Sequence, residues 1–126
     1  MALIKTTNPN PIVTQQNRNH DLVKKIKNDI SEINEIYDVA VVEGKEDILV
    51  AYKVKHLQRF NMKKIEKEVN EKLEKEYPKE NFTVSSDYKI FLEAVRLNEK
   101  RESGHLSSNQ AEDRLNEILK MTSDMK

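Results

Sequence analysis

The chain has no cysteine and no tryptophan, and only two glycines and three prolines among 126 residues. Without cysteine there are no disulfides and no thiolate zinc sites, and the redox compartment is left unspecified. Long apolar runs are missing as well. The tripeptide Ala2 to Ile4 is too short for the core of a secretory signal, and no segment is long enough to span a bilayer. The chain as it stands is expected to be a cytoplasmic product, or the mature part of a processed one, with no membrane span and no lipid anchor. An excess of one charge is also missing. Lys plus Arg and Asp plus Glu both count 22, so long-range steering toward nucleic acid is not indicated.

What the chain does have is 37% hydrophobic and 35% charged residues, which suits one compact core under a heavily charged surface. Residues 1–19 are rich in Asn, Gln, Thr and Pro and are expected to form a flexible polar tail, with Pro9 and Pro11 breaking any helix. A single α+β domain is expected over 20–126, with its core at 21–101 and a C-terminal helix at 107–122.

Leu22, Val23, Ile26, Ile30 and Ile33 recur at helical spacing, which predicts an amphipathic helix from Asp21, capped by Asn19 or Asp21. Val39 and Val41, then Ile48, Val50, Tyr52 and Val54, alternate around Glu43-Gly44-Lys45-Glu46, the pattern of a β-hairpin. Met62, Ile65, Val69 and Leu73 stripe a second helix whose other faces are Lys and Glu. Asn61 is expected to cap it, with Phe60 stapled onto Ile65 and with ion pairs Glu68–Lys72 and Glu71–Lys75 on its surface. Phe82 to Ser85 reads as a third strand, and Ile90, Phe91, Ala94 and Val95 as a third helix closed by Gly104. Ser107 and Gln110 match a capping box ahead of a last helix.

The order predicts a small αββαβ sandwich, a three-stranded sheet with C-terminal helices. Val39, Val41, Ile48, Val50, Tyr52, Phe82 and Val84 would lie under the first two helices. The opposite face holds Ala40, Val42, Leu49, Ala51 and Thr83. It needs cover from the last two helices, which is the simpler expectation, or from another chain, in which case those five residues would be the partner surface.

Chemistry-bearing residues are sparse. Ser85-Ser86-Asp87 lacks the glycine of a nucleophile elbow or a phosphate cradle, so it reads as the cap of the following helix. His20, His56 and His105 share no i+3 or i+4 spacing, so neither a metal nor a catalytic role is expected, and no cofactor is implied. Lys24, Lys25, Lys27, Arg59 and Lys63 offer a second reading, a module for an anionic ligand such as nucleic acid or a phosphate-bearing surface. No aromatic interleaving and no GxxG loop supports base recognition.

The helix at 21–36, the hairpin VAVVEGKEDILVAYKV at 39–54, the Lys/Glu helix and FTVSSDYKIFLEAV at 82–95 together resemble the YhcN/YlaJ group of sporulation lipoproteins of endospore-forming bacteria. The carriers are Leu49-Val50-Ala51-Tyr52 and Val84-Ser85-Ser86-Asp87, over residues 21 to 100. The acylated cysteine that typifies the group has no counterpart here. The resemblance implies a role in spore formation, envelope or germination, a spore-associated location, and no reaction or catalytic residue. The expectation is thus a non-enzymatic structural or interaction module that contacts a protein partner or its own copies.

Overall fold

A computed structural model describes residues 11–125, with side chains from His20 onward except that of Arg59. The elements follow in the order α1 (Pro11–Ser31), β1 (Ile36–Glu43), β2 (Ile48–Val54), a 3-10 helix (His56–Asn61), α2 (Met62–Glu76), β3 (Phe82–Ser85), α3 (Tyr88–Glu102) and α4 (Ser108–Asp124). β2 is the central strand of a mixed three-stranded sheet, antiparallel to β1 and parallel to β3. The parallel pair requires a crossover, which α2 supplies. This is the α+β sandwich that the sequence pattern implies.

The period-two alternation of the strands places one apolar set on each side of the sheet. Val39, Val41, Ile48, Val50, Tyr52 and Val84 meet Ile26, Ile30 and Ile33 of the α1 segment and Ile65, Val69 and Leu73 of α2. Ala40, Val42, Leu49 and Ala51 meet Ile90, Phe91, Ala94 and Leu97 of α3 and Ala111, Leu115 and Ile118 of α4. Each Ile, Leu or Val removed from water in these layers contributes roughly 1.5–3 kcal/mol. Of the two covers that this face could have, the last two helices or another chain, it has the first, because α3 and α4 carry a matching apolar stripe. Leu49 and Ala51 are fully buried and only Thr83, near the edge, is half-buried.

Four further expectations are revised. The backbone of 11–19 is helix, continuous with α1, so the helix begins ten residues before Asp21. Proline breaks a helix interior but fits its first position, where the missing amide has no partner to lose. The remaining part of the expected tail, 1–10, lies outside the described residues. At the start of α2 the Asn61 side chain makes no cap bond; its Nδ2 donates to Gln58 Oε1 at 2.8 Å. The 3-10 helix runs directly into α2, and Phe60, released from the expected staple, is fully exposed. On the surface of α2, Lys72 reaches across to Glu32 at 3.1 Å rather than to Glu68.

The turn end of the sheet is tied down closely. Gly44 N donates to Asp47 O at 2.8 Å, and Lys45 N donates to Glu112 Oε1 of α4 at 3.1 Å. A Cβ at Gly44 would overlap the Leu115 side chain and stand 2.9 Å from Asp47 O, so glycine is needed there for close approach. At the end of α3, Gly104 takes φ +77°. Gly104 N donates to Arg101 O and His105 N to Lys100 O, the paired bonds of a Schellman stop. α4 then opens on a complete capping box: Ser107 Oγ accepts from Gln110 N at 3.1 Å and Gln110 Oε1 from Ser107 N at 2.9 Å.

Candidate contact surface

The Ser85-Ser86-Asp87 junction serves the backbone. Ser85 Oγ accepts from Asp87 N at 3.2 Å. Asp87 is the N-cap of α3, its Oδ1 accepting from Lys89 N at 2.8 Å and Ile90 N at 3.3 Å. A negative side chain at the positive end of a helix is also electrostatically favoured. Behind this junction Tyr52 is fully buried, and its hydroxyl has no hydrogen-bond partner among the described residues. Burial pushes it up to about 12, Glu66 adds to the shift, and the nearby Ser86 side chain opposes it.

The histidines lie apart. His20 is exposed on α1 beside Val41, Asn98 and Arg101; His56 is exposed at the start of the 3-10 helix; His105 is exposed with its Nδ1 against Ser103 Oγ. Among the described residues, no group of three His, Cys, Asp or Glu is placed to hold a metal ion. The basic trio of α1 is also dispersed in role. Lys25 Nζ lies 5.8 Å from the centroid of the Tyr77 ring, while Lys24 and Lys27 flank a groove along the β1 edge. Tyr77 itself donates a hydrogen bond to Asp29 Oδ2, and burial together with that carboxylate pushes its hydroxyl well above the usual range.

The outer edge of β1 is closed to an added strand. Val39 N donates to its neighbour Asp38 Oδ1 at 2.8 Å, Asn98 Nδ2 donates to Val41 O at 2.9 Å, and Arg101 Nη1 donates to Glu43 O at 3.0 Å. Three alternate residues thus have an outward backbone group occupied by a side chain, which blunts the template that an edge strand otherwise presents.

The strand directions define a far end opposite the turn: β1 starts there and β2 and β3 finish there. α3 starts at the same end. α4 begins beside the turn, where Glu112 meets Lys45, and runs back along α3, held by Arg114 to Glu93 at 2.7 Å. Among the described residues, the exposed large apolar side chains are Tyr37 (66%), Leu57 (86%), Phe60 (100%), Tyr88 (59%) and Met125 (50%). Tyr37 opens β1, Leu57 and Phe60 follow β2, Tyr88 opens α3 and Met125 closes α4. All five therefore belong to the far end. At its centre Lys53 Nζ sits over three rings, 4.7 Å from the centroid of Tyr37, 5.3 Å from that of Tyr88 and 5.4 Å from that of Phe91. Contacts of this length are attractive cation–π pairs. Lys55, Lys63, Lys64 and Lys89, on the segments that leave or enter the sheet at this end, are exposed.

Sequence reasoning missed this surface, although a signal was present. Lys53 to Ile65 contains five Lys and Arg residues and no Asp or Glu, in a chain whose charges otherwise cancel. Leu57 and Phe60 stand three apart within that acid-free run, and three residues make one turn of a 3-10 helix, so both project from one side.

The family model for sporulation lipoprotein YhcN/YlaJ matches residues 3–120. The chain belongs to that family. No curated protein and no solved structure matches it. Membership associates the protein with sporulation, and the family is not one of known enzymes. Among the described residues, no helix is long and apolar enough to cross a membrane.

Proposed function

We propose that this protein is a non-enzymatic module of the sporulation programme, with residues 20–126 as one folding unit, and that it works by surface contact through its far end. The observation that supports this reading is the gathering of Tyr37, Leu57, Phe60, Tyr88 and Met125 at one end of a sheet whose two faces are covered by helices of the same chain. Exposed apolar side chains scattered singly need no explanation, whereas a cluster with a polar rim marks a contact site. The remaining polar constellations are already engaged: the β3–α3 junction caps a helix, and the β1 edge is plugged by Asn98 and Arg101.

The test is genetic complementation in a sporulating host that lacks this gene. The Leu57→Ser/Phe60→Ser variant should accumulate normally and fail to restore wild-type spores, whereas Ser85→Ala, which alters only the cap region, should restore them. Restoration by the far-end variant together with failure of Ser85→Ala would reverse the assignment and return attention to the junction.

A further inference from the structure

We propose that the far end docks on the surface of an anionic lipid bilayer, Leu57 and Phe60 entering the interface while the lysines around them meet lipid phosphates; this rests on the reading of the far end as the working surface. The two side chains project together from one short helical turn and are almost wholly exposed. They are flanked by exposed Lys55, Lys63 and Lys64, and the run Lys53 to Ile65 carries no carboxylate that would repel a negative surface. Apolar tips within a basic ring are what an interfacial anchor needs: the tips leave water, and each lysine near an anionic surface adds electrostatic attraction. Tyr37 and Tyr88 at the same end combine an apolar ring with a polar tip, the chemistry of the headgroup level. Acidic groups also stand at this end: the carboxylates of Asp38 and Asp87 face backbone amides of the protein, while Glu35, whose carbonyl accepts from Lys55 N, Glu66 after the basic run and Asp124 beside Met125 lie on its margins.

The same observations weigh against other occupants. A second copy docked isologously would bring two sets of these lysines together. Single-stranded nucleic acid is read by bases stacked on open aromatic platforms; both faces of this sheet are covered, and the Tyr37 and Tyr88 rings each already carry Lys53 on them, which leaves Phe60 as the fully exposed ring among the described residues.

The experiment is co-sedimentation of the full chain with vesicles of phosphatidylcholine mixed with phosphatidylglycerol, compared with phosphatidylcholine alone, across a salt series. Binding is expected to the mixed vesicles only and to weaken with salt. Leu57→Ser and Phe60→Ser should each lower the partition constant by about tenfold or more, and Lys63→Glu/Lys64→Glu by about fivefold or more for each lysine replaced. All four positions are exposed, and far-ultraviolet circular dichroism verifies that the variants remain folded. Failure to bind mixed vesicles at low salt, or equal binding by the wild type and both sets of variants, overturns the lipid assignment. If vesicles are ignored while Leu57→Ser/Phe60→Ser still fails in sporulating cells, the lipid proposal falls and a protein partner occupies the same surface, so the reading of the far end survives. If that variant also complements fully, both fall.

Discussion

Leu49 and Ala51 lie on the central strand, and Leu57 and Phe60 follow within eleven residues of Leu49 on the same stretch of chain. The first pair is fully buried beneath α3 and α4; the second pair projects into water at the far end. Both pairs are apolar, and the strand pair is the less bulky. Size and hydrophobicity therefore do not decide which apolar residues of this protein meet solvent. A covering element with a matching stripe decides it. α3 and α4 bring Ile90, Phe91, Ala94, Leu97, Leu115 and Ile118 onto the sheet, whereas the 3-10 helix is too short to carry a second layer of its own.

Leu49→Lys should break this comparison most severely. A lysine there would place an uncompensated charge between the sheet and two helices, at a cost of about 4 kcal/mol or more. The expected result is loss of the cooperative thermal transition, whereas Leu57→Lys should leave it in place. Gly44→Ala attacks the same layer from its rim. Its methyl group would press on Leu115 and the Asp47 carbonyl, and a loss of roughly 1–3 kcal/mol by urea denaturation is expected. Across the sheet, Tyr77→Phe removes the hydroxyl that binds Asp29 and should cost about 1.5–3 kcal/mol, the range for a hydrogen bond to a charged group, read from the same denaturation curves.

A smaller effect is expected at Glu43, where a carboxyl at the rim of the turn is held above its usual range, first by burial and then by Glu80, with Arg101 opposing. The folded chain binds this proton more tightly than the unfolded chain. The resulting cost is absent in acid, below the unfolded-state value, and develops as the pH rises through the folded-state value. Glu43→Gln should therefore raise the melting temperature near neutral pH and lose that advantage in acid. The smallest effect sharpens the contrast with Leu49. Leu57→Ser/Phe60→Ser should change unfolding free energy by no more than about 0.5 kcal/mol, as expected for surface positions.

Several parts of the fold could be read without coordinates because their signals are local. The strand alternation from Val39 to Val54 assigns each side chain to a face. The helix-period stripe Ile65-Val69-Leu73 marks the buried side of α2. Ser107 and Gln110 specify their capping box from four adjacent residues, and Asp87 specifies its cap from three. The reading failed where a local signal had two outcomes. Asn61 has the chemistry of a cap and Phe60 that of a staple, but a 3-10 helix leading directly into α2 leaves neither role available. Pro11 has the chemistry of a helix breaker and occupies the first position of α1. Lys72 has a suitable partner one turn away in Glu68 and instead bonds Glu32 on the neighbouring helix.

By itself, the sequence determined the three strands and the four α-helices other than the start of α1, their order, the side of the sheet to which each apolar set belongs, and membership of the sporulation lipoprotein family, because periodicity, capping and turn chemistry act over a few residues. Only the tertiary structure decided which apolar surface stays open. Exposure depends on what another part of the chain places above a residue: α4, about 60 residues downstream of Leu49, helps close the second face of the sheet, while the run of the strands and helices brings Tyr37, Phe60, Tyr88 and Met125 to one end.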